Sequence, residues 1–298
     1  MALTPRLRLG IVGLGRMGLR HWHAWKQLDA VELVAICDPA AAAQQWALQH
    51  RLFHCTEVES LRERIDLAVI ASPSSTHCGY GLALLSYGIA CLVEKPLALS
   101  SEQCRQLAEC ARQHDTLLAV GQCERFNPGV RRALQRLNAS TTSLQVFRHA
   151  SHTLPADSDV IDDLLVHDLD WVLQAGQRLI STEVLASSLV GERVQAIQCR
   201  LEFASGVQLY LSAGFDVERR REVLSSPCSV EGSISLEWQP GGGQGDPLTL
   251  QAQAFLSALR GEASGIATAM QALTVMQLCE QLRRQLRPMP VQREAVDA

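Results

Sequence analysis

The sequence predicts an α/β chain that continues as α+β, and three observations predict it. From residue 6 to about 121, short apolar runs alternate with stretches of helical character. A glycine-rich loop follows the first apolar run. After Gly121 the rhythm changes to closely spaced β-like runs. Apolar strands separated by helices indicate βαβ units and a parallel sheet covered on both faces. The expected division is a first domain over 1–122 and a second over 123–298.

The elements run in order along the chain. Residues 7–12 form a short apolar run that ends in glycines, and 17–28 read as a helix. A second apolar strand at 31–37 precedes a helix at 40–50, and a third strand lies at 67–71. Helix 77–87, strand 90–93, helix 101–114 and strand 117–120 complete the alternation. Beyond it, 126–137 reads as a helix, 144–149 as a strand and 160–174 as a helix. The runs 183–189, 194–203, 207–215, 222–230 and 233–238 are β-like, with turn residues such as Ala204-Ser205-Gly206 between them, and predict an antiparallel meander. Helices are expected at 248–259 and 268–287, and the glycine-rich stretch 240–245 is expected to be mobile.

Composition excludes several classes. The chain has 298 residues, 47% of them hydrophobic, and a net charge of −4. That suits a soluble two-domain protein and gives no positive footprint for nucleic acid. No run approaches the 18 or so apolar residues of a membrane span, and no basic segment precedes an apolar one at the N-terminus, so a cytoplasmic location is expected. The 10 cysteines include no CxxC pair and several sit in apolar runs, so reduced thiols are expected rather than disulfides.

Gly13-Leu14-Gly15-Arg16-Met17-Gly18 fits G-x-G-x-x-G after the strand Leu9-Gly10-Ile11-Val12 and opens a helix. Gly13 allows the tight turn, Gly15 the approach of a pyrophosphate, and Gly18 close helix–strand packing. The helix N-terminus then directs free N–H groups at the phosphates, with Arg16 and Met17 in its first turn. Asp38 ends the second strand, where a carboxylate accepts hydrogen bonds from the adenosine ribose hydroxyls and repels a 2′-phosphate. NAD is therefore expected in preference to NADP, in a Rossmann domain.

Glu94-Lys95-Pro96 follows the strand 90–93. With GLGRMG, then ASPSSTH (71–77), and finally Asp163-Leu164-Leu165-Val166-His167, these fragments match in order along nearly the whole chain. In this combination the sequence resembles the glucose-fructose oxidoreductase / inositol dehydrogenase / MocA (Gfo/Idh/MocA) family. The resemblance implies a Rossmann domain followed by a largely antiparallel, open-faced sheet. It also implies a bound nicotinamide cofactor, a sugar, inositol or nucleotide-sugar substrate, and a homodimer or homotetramer formed through the sheet.

The residues support that expectation individually. Lys95 lies beyond the C-terminal end of a strand, the edge where open α/β sheets bind ligands, and an ammonium there donates to the reacting oxygen. Pro96 restricts the backbone beside it. Ser72, Pro73 and His77 follow the third strand and are expected, with Glu94, to border the cofactor; His77 reads equally as a plain helix N-terminal residue. At about 100° per residue, Asp163, His167 and Asp170 share one helix face, with Ile161, Leu164, Leu165, Leu169 and Val172 opposite. His167 is the expected general base, taking the hydroxyl proton as hydride leaves the same carbon, and Asp163 orients it or binds substrate hydroxyls. This chemistry requires Lys95 and His167 to converge beside the nicotinamide. No metal is expected, since the Asp and His lack a third ligand. Arg125 and Asn127 follow the domain junction in a segment that the resemblance places at the mouth of the substrate site. Arg125 there reads either as a ligand anchor or as an interdomain salt bridge.

The segments 121–128 and 159–170 look most like the branch that oxidises the 3-hydroxyl of UDP-N-acetylglucosamine. Its ketone product is aminated by a partner aminotransferase on the way to 3-amino sugars for lipid A. One departure stands: residues 152–158 contain no Arg, although a diphosphate needs cationic partners, leaving Arg125, Arg131, Arg132 and Arg148 as candidates. Dehydrogenation of a free sugar or inositol, imine or enone reduction on the biliverdin-reductase pattern, and a non-catalytic NAD-dependent sensor remain as alternatives. Lys95, Asp163 and His167 together speak against the sensor.

Overall fold

The computed structural model describes residues 5–137, 143–151, 158–215, 219–226, 233–237 and 245–286. The chain divides into two compact units. One runs to Arg131 and takes in the stretch that ends at Gln277; the other comprises Arg132–Glu237 and the chain from Leu278 on.

The first unit is built on a seven-stranded sheet. Its elements are β1 (Leu7–Val12), α1 (Arg16–Trp25), β2 (Val31–Cys37), α2 (Ala41–Gln49), β3 (Phe53–Cys55), β4 (Leu67–Ile70), α3 (Ser74–Ser86), β5 (Ala90–Glu94), α4 (Ser101–Gln113) and β6 (Leu118–Gly121). The strand order is β13-β6-β5-β4-β1-β2-β3, where β13 is a late two-residue strand, Ala267–Thr268, antiparallel to β6. β1 pairs with β2 on one side and β4 on the other, both parallel, so the order reverses there and opens a crevice beyond the strands' C-terminal ends. The central strands are largely apolar because both faces are covered: Leu9, Ile11, Ile36, Leu67, Val69 and Leu92 are all buried.

Two short strands escape the periodicity argument. β3 and β13 have three and two residues, too few to establish an alternation. A distant helix also joins this unit. α7 (Pro247–Leu259) contributes buried Ala252 and Phe255 to its core, and Phe255 meets the Trp25 ring edge-on at 5.9 Å. Gln251 of α7 is fully buried; with its amide oxygen turned to the main chain, it accepts from Gln122 N at 3.1 Å and Cys123 N at 3.0 Å.

The second unit carries a six-stranded, largely antiparallel sheet. Its elements are α5 (Pro128–Leu137, which begins in the first unit), β7 (Ser143–His149), a π-helical turn (Ile161–Leu165) running into α6 (Val166–Leu173), β8 (Leu179–Val190), β9 (Arg193–Phe203), β10 (Gln208–Gly214), β11 (Arg220–Ser226) and β12 (Ile234–Ser235). α8 (Ala269–Arg284) ends among them. The order β12-β11-β7-β10-β9-β8 corrects the expected meander: β8, β9 and β10 follow one another, as do β11 and β12, but β7 inserts between the two groups, parallel to β10 with β11 antiparallel on its far side. Alternation along a strand shows which face is buried but not which strand lies beside it.

The nine cysteines among the described residues are free. Cys228, the loop 240–244 expected to be mobile, and residues 152–157 of the Arg-free loop lie outside the described residues. Among the described residues no helix is long and apolar enough to cross a membrane.

Candidate active site

The glycine loop occupies the crevice. Gly13 has φ +87°, and a Cβ there would stand 2.6 Å from the main chain of Ser72, so the tip of β1 packs directly on the segment that leaves β4. A Cβ on Gly18 would lie 2.0 Å from Gly13 O, which leaves glycine alone able to seat α1 on the loop. Gly15 differs: a Cβ there meets nothing within 4 Å. It is the N-cap of α1, which has no side-chain cap and no acidic residue in its first turn. Open space before uncapped N–H groups fits a pyrophosphate. Arg16 is exposed and Met17 half-buried at this mouth.

Asp38 links the loop to β2. Its Oδ2 accepts from Leu14 N at 2.7 Å and its Oδ1 from Ala40 N at 2.8 Å. A carboxylate has about four acceptor positions, so two remain for ribose hydroxyls. The turn-capping role and the cofactor role of Asp38 are therefore compatible.

Lys95 is half-buried at the tip of β5, and the peptide to buried Pro96 is cis. Glu94, expected beside the cofactor, is instead turned inward. Its Oε1 meets His21 Nε2 at 2.8 Å, and its Oε2 accepts from Lys95 N at 3.3 Å. Burial alone would raise the Glu94 carboxyl, but the His21 hydrogen bond and the charges of His21, Lys95 and His77 outweigh it and hold it below the usual range. Gly121 makes room for this carboxylate, since a Cβ there would lie 2.7 Å from Glu94 Oε1.

His77 is likewise internal. It is 1% exposed, with Nδ1 2.9 Å from Pro96 O and Nε2 2.9 Å from Ser72 O. Carbonyls only accept, so both contacts are hydrogen bonds when the ring carries both protons. Ser72, half-buried, has its Oγ 2.7 Å from Thr76 Oγ1, and exposed Pro73 precedes α3.

Arg125 and Asn127 are both buried. Arg125 Nη1 donates to Gln271 Oε1 at 2.9 Å, an uncharged partner within the first unit. Asn127 begins α5: its Oδ1 accepts from Gly129 N at 2.9 Å and its Nδ2 donates to Glu124 at 3.1 Å.

In the second unit Asp163 and His167 are both half-buried, on the π turn and α6 respectively. Asp170 is more enclosed than Asp163 and His167. It is 3% exposed and accepts from Gln174 Nε2 at 3.3 Å. The expected arc assumed uniform α geometry, whereas Asp163 lies on the wider π turn at Ile161–Leu165 and His167 and Asp170 lie together on α6 after it. Ile161, Leu164, Leu165, Leu169 and Val172 are buried, as the periodicity requires. The turn is anchored by Arg283 of α8, whose Nη2 reaches Asp159 Oδ1 at 2.8 Å and Asp162 Oδ2 at 2.7 Å. Asp159 Oδ1 also accepts from Ile161 N at 2.9 Å.

Arg148 is corrected as a diphosphate partner. Its guanidinium is 0% exposed and makes a bidentate pair with Asp168, both contacts 2.8 Å. Among the described residues no cluster of three His, Cys, Asp or Glu is placed to hold a metal.

Sequence reasoning missed His21, Gln251 and Arg283. His21 had a signal: Gly18, His21 and Trp25 fall on one face of α1, and all three are buried. Gln251 and Arg283 act across long sequence separations and left none.

Residues 7–122 match the Gfo/Idh/MocA family model, described as an oxidoreductase family with an NAD-binding Rossmann fold. UDP-N-acetylglucosamine 3-dehydrogenase of Acidithiobacillus ferrooxidans is 27% identical over 214 residues, 70% of this chain and 66% of that protein. Inositol 2-dehydrogenase of Paracoccus denitrificans is 29% identical over 183 residues, 56% of this chain and 54% of its own length. A solved structure of the Acidithiobacillus enzyme superposes with a TM-score of 0.81 at 23% identity, covering 95% of this chain and 98% of that one.

Proposed function

We propose that this chain, whose residues 7–122 match the NAD-binding Gfo/Idh/MocA oxidoreductase family model, oxidises a ring hydroxyl of a nucleotide sugar, the 3-hydroxyl of UDP-N-acetylglucosamine first, to a ketone. NAD, when bound, accepts the hydride. Gly13, Gly15 and Gly18, with Arg16 and Met17, form the cradle for its pyrophosphate, and Asp38 takes the adenosine ribose. The observation that carries the reading is Lys95, a half-buried ammonium at the tip of β5, on the edge of the sheet where such folds bind ligands. Lys95 donates to the substrate oxygen and stabilises negative charge developing there. His167 accepts the hydroxyl proton at a ring nitrogen, and Asp163 orients it or binds a neighbouring hydroxyl. The exposed α5 residues Arg131 and Arg132 are the proposed partners of a diphosphate.

A 3-keto sugar nucleotide is a ready substrate for an aminotransferase, the proposed downstream partner. Exposed Ile180, Leu185, Leu189 and Val190 on β8 support association of the chain with itself through the second sheet. Oxidation of a free cyclitol is the second reading. It is favoured by the internal pairing of Arg148, which takes away one cation that a diphosphate would use, and by the similarity to inositol 2-dehydrogenase.

The test is the reduced-nicotinamide absorbance after mixing protein and NAD with UDP-N-acetylglucosamine, myo-inositol or free sugars. Growth with the nucleotide sugar, lost in His167→Ala, is the expected result; growth with myo-inositol alone selects the second reading. No growth with any of them, or undiminished turnover in His167→Ala, overturns the proposal.

A further inference from the structure

Lys95 lies between two buried histidines. On its N-terminal side, Glu94 accepts the Lys95 N–H through one carboxylate oxygen and meets His21 Nε2, 2.8 Å away, through the other. On its C-terminal side, Pro96 O lies 2.9 Å from His77 Nδ1, and the same ring spans to Ser72 O. His21 is 0% exposed on α1 and His77 1% exposed on α3. The two helices that flank the crevice thus each send one buried imidazole to the peptide beside the lysine. Burying a polar ring is unfavourable unless its bonds repay the lost water, and His21 Nδ1 has no hydrogen-bond partner among the described residues. A leucine or phenylalanine would fill either position without that penalty. Glycine at 121 leaves the space in which the Glu94 carboxylate lies.

We propose that His21 and His77 are positioning residues that hold Lys95 from both sides: His21 through Glu94, and His77 through the Pro96 carbonyl. Together they fix the direction in which the ammonium leaves the end of β5. Both act through main-chain or carboxylate partners and touch neither substrate nor cofactor. The inference rests on the reading of Lys95 as the group that meets the substrate oxygen. A displacement of about 1 Å at such a group lowers turnover on the order of a hundredfold.

The test exploits composition: Lys26 and Lys95 are the two lysines of the chain. Reductive methylation with ¹³C-formaldehyde therefore gives two lysine signals besides the N-terminal amine, and Lys95→Arg identifies one of them. Lys26, 4.1 Å from the Trp22 ring centroid, is the internal control. The Lys95 signal is expected to broaden or move toward the position of a free lysine in His21→Phe and His77→Phe. It is expected to return in His21→Gln, whose amide retains a donor toward Glu94, while the Lys26 signal stays fixed throughout. Where a Phe variant fails to fold, Glu94→Gln, which keeps the shape and removes the charge, is read instead. With a turned-over sugar, kcat falls roughly 10- to 100-fold in the Phe variants while the Kd for NAD stays within about threefold. An unmoved Lys95 signal in folded variants, or His21→Gln no better than His21→Phe, overturns the inference. Full turnover in Lys95→Arg would instead sink the reading of Lys95 and leave the clamp itself measurable by the ¹³C signal.

Discussion

Replacing Arg148 by methionine separates a structural cation from a ligand-binding one. In the structure Arg148 Nε and Nη2 each stand 2.8 Å from an Asp168 oxygen, with side-chain exposures of 0% and 2%. Trp171 Nε1 donates to the same carboxylate at 3.0 Å. Removing the guanidinium leaves a buried carboxylate without its counter-charge, which costs about 3–5 kcal/mol. Coulomb attraction across about 4 Å at an effective dielectric near 20 gives a similar magnitude, about 4 kcal/mol. For a unit of this size that lowers Tm by roughly 6–20 °C. Urea unfolding followed by tryptophan fluorescence measures it directly. Arg148→Met with Asp168→Leu removes both charges and is expected to regain most of the loss, because the penalty comes from the orphaned ion. An Arg148→Met protein within about 1 kcal/mol of the wild type, yet deficient in UDP-sugar binding, would refute the buried assignment and return Arg148 to the diphosphate.

The crevice supplies two further expected outcomes. Gly15→Ala adds a methyl group to open space and is expected to leave stability within about 0.5 kcal/mol while weakening NAD at least tenfold; Gly13→Ala, at φ +87° against the Ser72 main chain, loses at least the ~1–3 kcal/mol of a strained dihedral. Equal Tm values for the two variants in thermal melts would contradict this assignment. Glu94 gives the pH dependence. Its folded value is held below the ordinary 4.5, so its contribution to stability is complete above that pH and is lost as pH falls through the depressed value. Melting curves between pH 7 and 3 should therefore fall less steeply for Glu94→Gln than for the wild type, and parallel curves would count against an ionised Glu94 in the folded state.

The sequence by itself determined whatever depends on local order. The glycine loop, the acid at the end of β2 and the lysine at the end of β5 are fixed by positions along single strands, and the apolar runs of the first sheet result from burial on both faces. The Rossmann fold and its cofactor were legible for that reason. The segment 160–174 was half legible: its apolar side held, but the π turn at its start was not foreseen, because a hydrophobic pattern cannot register a change of helix type.

Only the tertiary structure decided which polar groups are consumed internally. Arg148 looked like a ligand cation until Asp168, twenty residues on, was found against it, and Glu94 looked like a cofactor contact until His21 of α1 took it. It also decided that α7 returns to the first unit and that β7 separates β10 from β11. The physical reason is common to all four. Propensity and periodicity act within a few residues, whereas a buried charge or a strand edge is satisfied by whichever partner the chain brings to it from any distance.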